Sequence, residues 1–418
     1  MRRFLERLVE AIFTISCSIT SLAILLIIVF LFKEGLGLFG NPSVEHGYAL
    51  CIHSENPVKK LTSHEIKEIF DHEITNWQEL GGNDEEIVPF RFEEIFDFYS
   101  EEEMGEDYEL LPQKIAEHIA QEPAIIAFIP EKYILSEEWR IKNKELNNLT
   151  DSAFYALQSS FLILRSENIS FSDFFGGKEW LPTATPAAQY GVLPLILGTL
   201  LVSIFAILIA LPLGLGAAVY LSELASERMR SMLKPAIELL AGIPSVVYGF
   251  FGLVVLAPFI QKTFDLPVGE TALAGSVILA IMALPTIITV SEDAMRNTPR
   301  TMREASLSLG ANKWQTVYKV VVPYALSGIM AAVVLGIGRA IGETMAVLMV
   351  TGNAAVMPHS LFEPVRTIPA TIAAELGEAP AGGTHYQALF LLGCILFLIT
   401  MLVSISAEMI NKTRKIEH

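Results

Sequence analysis

Two charged residues interrupt an otherwise apolar run in the C-terminal third of the sequence, Arg339 and Glu343. Spaced four apart, they share one face if the run is helical. Each charge costs about 2.5–3.5 kcal/mol at the centre of a membrane helix, so both must face a bundle interior, a partner or water. An arginine guanidinium is a planar fork that holds an oxyanion bidentately, where lysine offers only a point charge. Glu343 would steady that fork and weaken its grip enough for the anion to leave. The alternative is a structural ion pair with no ligand contact. Ser245 and Tyr248, just after Pro244, carry hydroxyls that donate either to a passing oxyanion or across to a neighbouring helix. No nucleophile–base pair appears, so no catalytic residue is assigned. His64-Glu65 and His72-Glu73 lack the second histidine of a zinc motif, and the three cysteines have no ligand spacing. Neither a metal nor a cofactor is expected.

The elements that must position these residues follow from composition. The chain has 418 residues, 52% hydrophobic and 18% charged, with a mean hydropathy of +0.47. Soluble domains are about a quarter charged, so this is a membrane protein. Its net charge of −17 is unevenly spread: residues 45–180 hold 29 acids and 11 bases, net −18, and the remainder is +1. No basic surface is available for nucleic acid. Apolar runs at 11–32, 193–221, 235–260, 271–291, 320–350 and 386–407 are each long enough to span a bilayer. The first has basic residues before it but no small-residue cleavage site, and reads as an uncleaved helix. Basic clusters decide the topology: Arg2, Arg3 and Arg7; Arg228, Arg230 and Lys234; Arg296, Arg300, Arg303, Lys313 and Lys319; Lys412, Arg414 and Lys415. With six spans all four fall on one side, which predicts cytoplasmic termini and an acidic block outside the membrane.

The loop 292–324 between the fourth and fifth spans carries local signals. Thr298 reads as an N-cap with Pro299 at the first helical position, and Gly310 as a left-handed C-terminal stop. Met302, Ala305 and Leu309 share one face of the helix so defined. Asn312 caps a second short helix before Pro323 opens the next span. A capped helix with an apolar face, standing off the membrane, suits a partner's groove.

Glu304-Ala305-Ser306, then Gly310, then Val320 and Val322-Pro323 resemble the EAA loop of ABC importer permeases. The resemblance implies that Glu304, Ala305, Gly310, Met302 and Leu309 dock on a separate ATPase subunit. The chain has no G-x-x-x-x-G-K-[ST] segment, so ATP hydrolysis would belong to that partner and this chain is not expected to be an enzyme. Leu240 to Phe250 (LAGIPSVVYGF) and Gly338 to Val347 (GRAIGETMAV) are similar to phosphate-specific importer permeases, the second favouring the PstC type. This implies a type I transmembrane domain of six helices, mainly α, paired with a homologous permease subunit and two ATPase subunits. Phosphate would arrive from an extracytoplasmic binding protein.

The block 45–180 has the length of a small domain. A helix is expected over 61–70 with Thr62 or Ser63 as its cap, a turn at Gly81-Gly82, a strand near Ile87 and a buried strand over 124–129. The block is therefore read as α/β. Asn56-Pro57-Val58, Ile74 to Trp77, Gly81-Gly82, Arg91 and Pro123 to Phe128 resemble a periplasmic phosphate-binding protein. That family has a Ser-Gly-Thr anion turn after this arginine, and Phe92-Glu93-Glu94-Ile95-Phe96 stands there instead. The block then reads as a degenerate lobe that docks a binding protein or gates the entrance. Its acidic run, 93–109, is expected to be a mobile, solvated segment.

The expected organisation is an N-terminal segment and first span (1–44), an α/β insert (45–180) and a five-helix permease core (181–418) in the inner membrane, surrounded by lipid. Two rivals remain open: an importer of another oxyanion such as molybdate or sulfate, and a membrane sensor with the insert as ligand domain.

Overall fold

The computed structural model describes residues 2–105, 108–136, 138 and 150–415. They divide into two compact units, one of Met1–Leu38 with Val192–His418 and one of Phe39–Gly191.

Hydrocarbon offers backbone groups no hydrogen-bond partner, so a long apolar run satisfies its N–H and C=O groups as a helix. Among the described residues, six helices are long and apolar enough to cross a membrane: Glu10–Gly40, Leu193–Leu224, Ser245–Phe264, Ala272–Arg296, Lys313–Gly342 and Thr384–Ser406. The second and fourth spans pack along each other, and the fifth lies against the fourth. Buried Val202, Ala206 and Ala210 of the second meet Leu279, Ala283 and Ile287 of the fourth. Alanines at such an interface let the backbones approach closely. The first span lies along the sixth, with Phe30 edge-on to Phe390.

Two spans differ from the sequence expectation. The third was expected over 235–260, but helix Glu227–Ala241 stops at Gly242 and a new helix begins at Ser245. Pro244 donates no N–H and holds the residue before it out of helical geometry, which forces the break. The fifth was expected over 320–350. It begins at Lys313, passes through a widened turn at Val317–Val321 and ends at Gly342, and Met345–Val350 is a separate helix. Pro212 and Pro285, by contrast, lie inside continuous helices.

The second unit is a five-stranded mixed sheet in the order β2-β5-β1-β4-β3, with β1 Tyr48–His53, β2 Lys60–Leu61, β3 Val88–Arg91, β4 Ile125–Pro130 and β5 Phe161–Ser166. β1 runs antiparallel to β4 and β5, and the outer pairs are parallel. Helix Ser63–Phe70 starts in a capping box: the Glu65 N–H donates to Thr62 Oγ1, and the Thr62 N–H donates to Glu65 Oε2 at 2.7 Å. It buries Ile66, Ile69 and Phe70 with Trp77 on one face of the sheet. Ile115, Ile119 and Phe154, from Leu111–Gln121 and Asp151–Ser159, fill the other face. Helices on both faces leave β4 wholly buried, which is why 125–130 reads as an unbroken apolar run. The acidic run is largely exposed, as expected, but it is not without structure. It forms three short helical turns, Phe92–Glu94, Ile95–Phe98 and Glu101–Met104, pinned by buried Ile95 and Met104, with 106–107 outside the described residues. The hairpin of β6 Trp180–Leu181 and β7 Gln189–Tyr190 belongs to this unit as well, carrying it to Gly191.

Candidate functional site

The break that ends the fifth span decides the geometry of Arg339 and Glu343. Arg339 stands in the last turn of Val322–Gly342, whereas Glu343 has left the helix with ψ at 129°. The two therefore do not share a helical face, and among the described residues no ion pair joins them. Glu343 instead turns one carboxylate oxygen toward the N–H of Ala346, at 3.5 Å, in the first turn of Met345–Val350. A carboxylate suits that position, where helix N–H groups lack partners. Arg339 is exposed on this chain and has no hydrogen bond or ion pair among the described residues. Its guanidinium fork is free to hold an anion.

Tyr248 stands in the helix Ser245–Phe251 that follows the first break. Its phenol is buried and donates to the Leu240 carbonyl at 2.8 Å, bridging the break at 242–244. The hydroxyl proton is thus committed to a backbone group freed by Pro244, and only the oxygen's lone pairs remain for a ligand. Ser245 opens the helix after the break, half-buried and with no hydrogen bond among the described residues. Ser245 and Tyr248 follow the first break, Arg339 and Glu343 stand at the second, and among the described residues Glu343 is not paired with Arg339. Beside the second break, Gly342 and Thr344 line an open cleft of about 560 Å³ with Pro369, Ile372 and Leu376 of the segment before the sixth span. That segment's helix, Ile368–Glu375, is tied at Glu375, which accepts from Arg366 at 2.8 Å and His385 at 2.9 Å.

The loop after the fourth span forms helix Arg300–Ser308, as its residues require. Gly310 stands at φ +86°, where a side chain would be strained, and stops it. Asn312 and Gln315 make a full capping box for Lys313–Thr316. The expected Thr298 cap is not made. Pro299 takes the cap position, and the Thr298 hydroxyl is buried without a partner. Met302, Glu304, Ala305, Leu309 and Gly310 are all exposed, Leu309 by 89%, and Trp314 stands exposed beyond them. A leucine this bare at the C-cap of a helix is an unfilled contact surface.

Composition and pattern missed what holds this loop in place. Arg303 donates to the Thr298 carbonyl at 2.7 Å, to Glu223 at 2.8 Å and to the Met295 carbonyl at 2.9 Å. One guanidinium thus joins the loop helix to the ends of the second and fourth spans. Glu292, 1% exposed near the end of the fourth span, accepts from Arg230 and, at 2.7 Å, from Lys234 of helix Glu227–Ala241. The hydrogen bond to Glu292 holds the Lys234 ammonium above the usual lysine range, against the opposing effect of burial. Glu292, an acid at the end of an apolar span and followed by basic residues, was the available signal. Arg230, Lys234 and Arg303, counted for topology, are also structural ties.

In the second unit, Arg91 reaches back over the Phe70 ring at 5.1 Å and donates to the Thr185 carbonyl at 3.4 Å. The turn after it, Phe92–Glu94, presents Glu93 and Glu94 and receives no side-chain cap. Nothing in this arrangement favours an anion.

Comparison with known proteins agrees with the membrane unit. The family model for "Binding-protein-dependent transport system inner membrane component" matches residues 210–416. A "Probable ABC transporter permease protein YqgH" of Bacillus subtilis is 42% identical over 257 residues, covering 62% of this chain and 82% of that protein. A "Phosphate transport system permease protein PstC" of Mesorhizobium japonicum is 42% identical over 249 residues, covering 55% and 75%. The protein of the same name from Pasteurella multocida is 40% identical over 269 residues, covering 59% and 83%.

Proposed function

We propose that this chain, which belongs to the binding-protein-dependent inner-membrane transport components and among them to the PstC-type permeases, forms the translocation pathway of an ATP-driven importer of inorganic phosphate. The observation that carries the substrate is the identity of about two residues in five with permeases named for phosphate, over three quarters or more of their length. The geometry supports the same reading. Arg339 stands exposed and unpaired among the described residues beside a helix break, where a bidentate fork suits an oxyanion. The bare face of Met302, Ala305 and Leu309, flanked by Glu304 and Gly310, fits the groove of an ATPase subunit. Two such ATPases and a second, homologous permease complete the complex. The positive residues 228–234 and 296–319 support a cytoplasmic position for this loop end and for both termini. The insert then lies outside, where it docks the phosphate-binding protein or gates the entrance. Arg91 tied to Thr185, and two glutamates at the turn, support a lobe that does not itself hold phosphate.

The test is reconstitution of the chain with its partner permease and ATPase subunits in liposomes, followed by ATP-driven uptake of labelled phosphate. Uptake should resist excess sulfate and molybdate. Preferential uptake of either competitor, or failure of any ATPase to copurify with the chain, refutes the reading.

A further inference from the structure

One face of the second unit carries a group of aromatic rings exposed or half-exposed among the described residues. Phe171 and Phe175 stand 58% and 44% exposed on the short helix Phe171–Gly176, while Phe174 between them is fully buried. Phe171 stacks on Phe39 with centroids 3.8 Å apart, and Phe175 lies parallel to Phe171 at 6.4 Å. Three rings thus form one apolar surface on a unit whose residues 45–180 carry a net charge of −18.

Chain connectivity says where this surface lies. Phe39 falls in the last turn of the first span, Glu10–Gly40. The Ile169 N–H donates to the Asn41 carbonyl at 3.2 Å, and Pro42 bridges Asn168, so the approach to the helix is bonded to the chain just after that span. Beyond the helix, Gly177 packs on Gly191 so closely that a Cβ on Gly177 would stand 2.7 Å from the Gly191 Cα. The Gly191 N–H also donates to the Glu179 carbonyl at 2.8 Å. The second span begins two residues later, at Leu193. At up to about 3.5 Å per residue, both attachments lie within about 10 Å of the end of a span.

We infer that Phe39, Phe171 and Phe175 form an aromatic foot that seats the second unit in the headgroup zone of the bilayer. The occupant of the bare face is lipid. Phenylalanines on the apolar side of an interfacial helix sink to the headgroup–acyl boundary, and the gain grows with the apolar area covered. The unit's acidity excludes an electrostatic hold on anionic lipid, so the hold is apolar and suits zwitterionic lipid. This inference does not depend on which anion the chain carries.

The test uses the unmodified full chain in phosphatidylcholine vesicles containing a trace of phosphatidylcholine with a photoactivatable group at the glycerol level. After illumination and digestion, the peptide holding 171–175 should carry lipid, and the peptide holding Phe96 and Phe98 should not. Labelled peptides from 10–40 serve as the internal standard for insertion. The double variant Phe171→Ser, Phe175→Ser leaves buried Phe174 in place, and should lose label at its own peptide while the span peptides keep theirs. An unlabelled 171–175 peptide beside labelled spans overturns the inference. So does label that disappears when a phosphate-binding protein is added, which would assign the face to that protein instead.

Discussion

Arg303 ties the loop helix to the bundle, and on the proposed function its removal has a calculable consequence. Arg303→Ala deletes three hydrogen bonds, of 2.7, 2.8 and 2.9 Å, that join helix Arg300–Ser308 to the Thr298 carbonyl, to Glu223 and to the Met295 carbonyl of the fourth span. Hydrogen bonds to charged groups contribute about 1.5–3 kcal/mol each. The Arg303 and Glu223 side chains are 22% and 12% exposed, and water replaces part of what is lost. A total near 2–3 kcal/mol is therefore a better figure than the sum. At about 1.4 kcal/mol per factor of ten, the seated position of the loop helix loses roughly 30- to 150-fold in its favour. The Met302–Leu309 face is untouched, so the ATPase still binds. The assay is phosphate uptake and ATP hydrolysis in the same proteoliposomes. Hydrolysis should persist while uptake per ATP falls about tenfold or more, and amide exchange over 300–308 should rise. Glu223→Gln should give part of this loss, and the double variant should be no worse than Arg303→Ala, because both remove one interaction. An unchanged uptake-to-ATP ratio in Arg303→Ala, or fully additive losses, would refute the reasoning.

Three further outcomes follow from the same geometry. Arg339→Ala and Arg339→Lys should both abolish uptake while the complex still copurifies, because a point charge cannot replace the fork; normal uptake in either removes Arg339 from the pathway. Glu292→Gln leaves Arg230 and Lys234 facing an uncharged buried amide, and should destabilise the chain by about 3 kcal/mol in detergent thermal melts. Since Lys234 is held above the usual lysine range, its contribution is complete at neutral pH and is lost only as pH rises through that raised value, so native melts should be flat from pH 7 to 9. His118 packs against the rings of Phe90, Phe98 and Tyr99, and burial depresses its imidazolium. The unfolded chain therefore binds the proton better, and stability of this unit should fall as pH drops below about 6.5; His118→Phe should remove that slope in acid melts read by near-UV circular dichroism.

What the sequence determined by itself is what short-range physics controls. Each of the six apolar runs yields one helix long enough to span, though the third and fifth runs break and shift its bounds, because a long apolar helix satisfies its own backbone. The Thr62–Glu65 and Asn312–Gln315 capping boxes and the Gly310 stop lie within a turn of the residues they act on, and all form as their spacing requires. The bare loop helix was legible for the same reason. Only the tertiary structure decided the rest. Glu343 reads as a turn-mate of Arg339, yet the chain leaves the helix at Gly342 and packs Met345–Val350 separately. Tyr248 reads as a spare hydroxyl until the break at 242–244 presents the Leu240 carbonyl to it. Arg230 with Glu292, and Arg303 with Glu223, pair across 62 and 80 residues of chain. No local pattern records such partners, because an ion pair of that reach exists only once the helices carrying its two halves have packed.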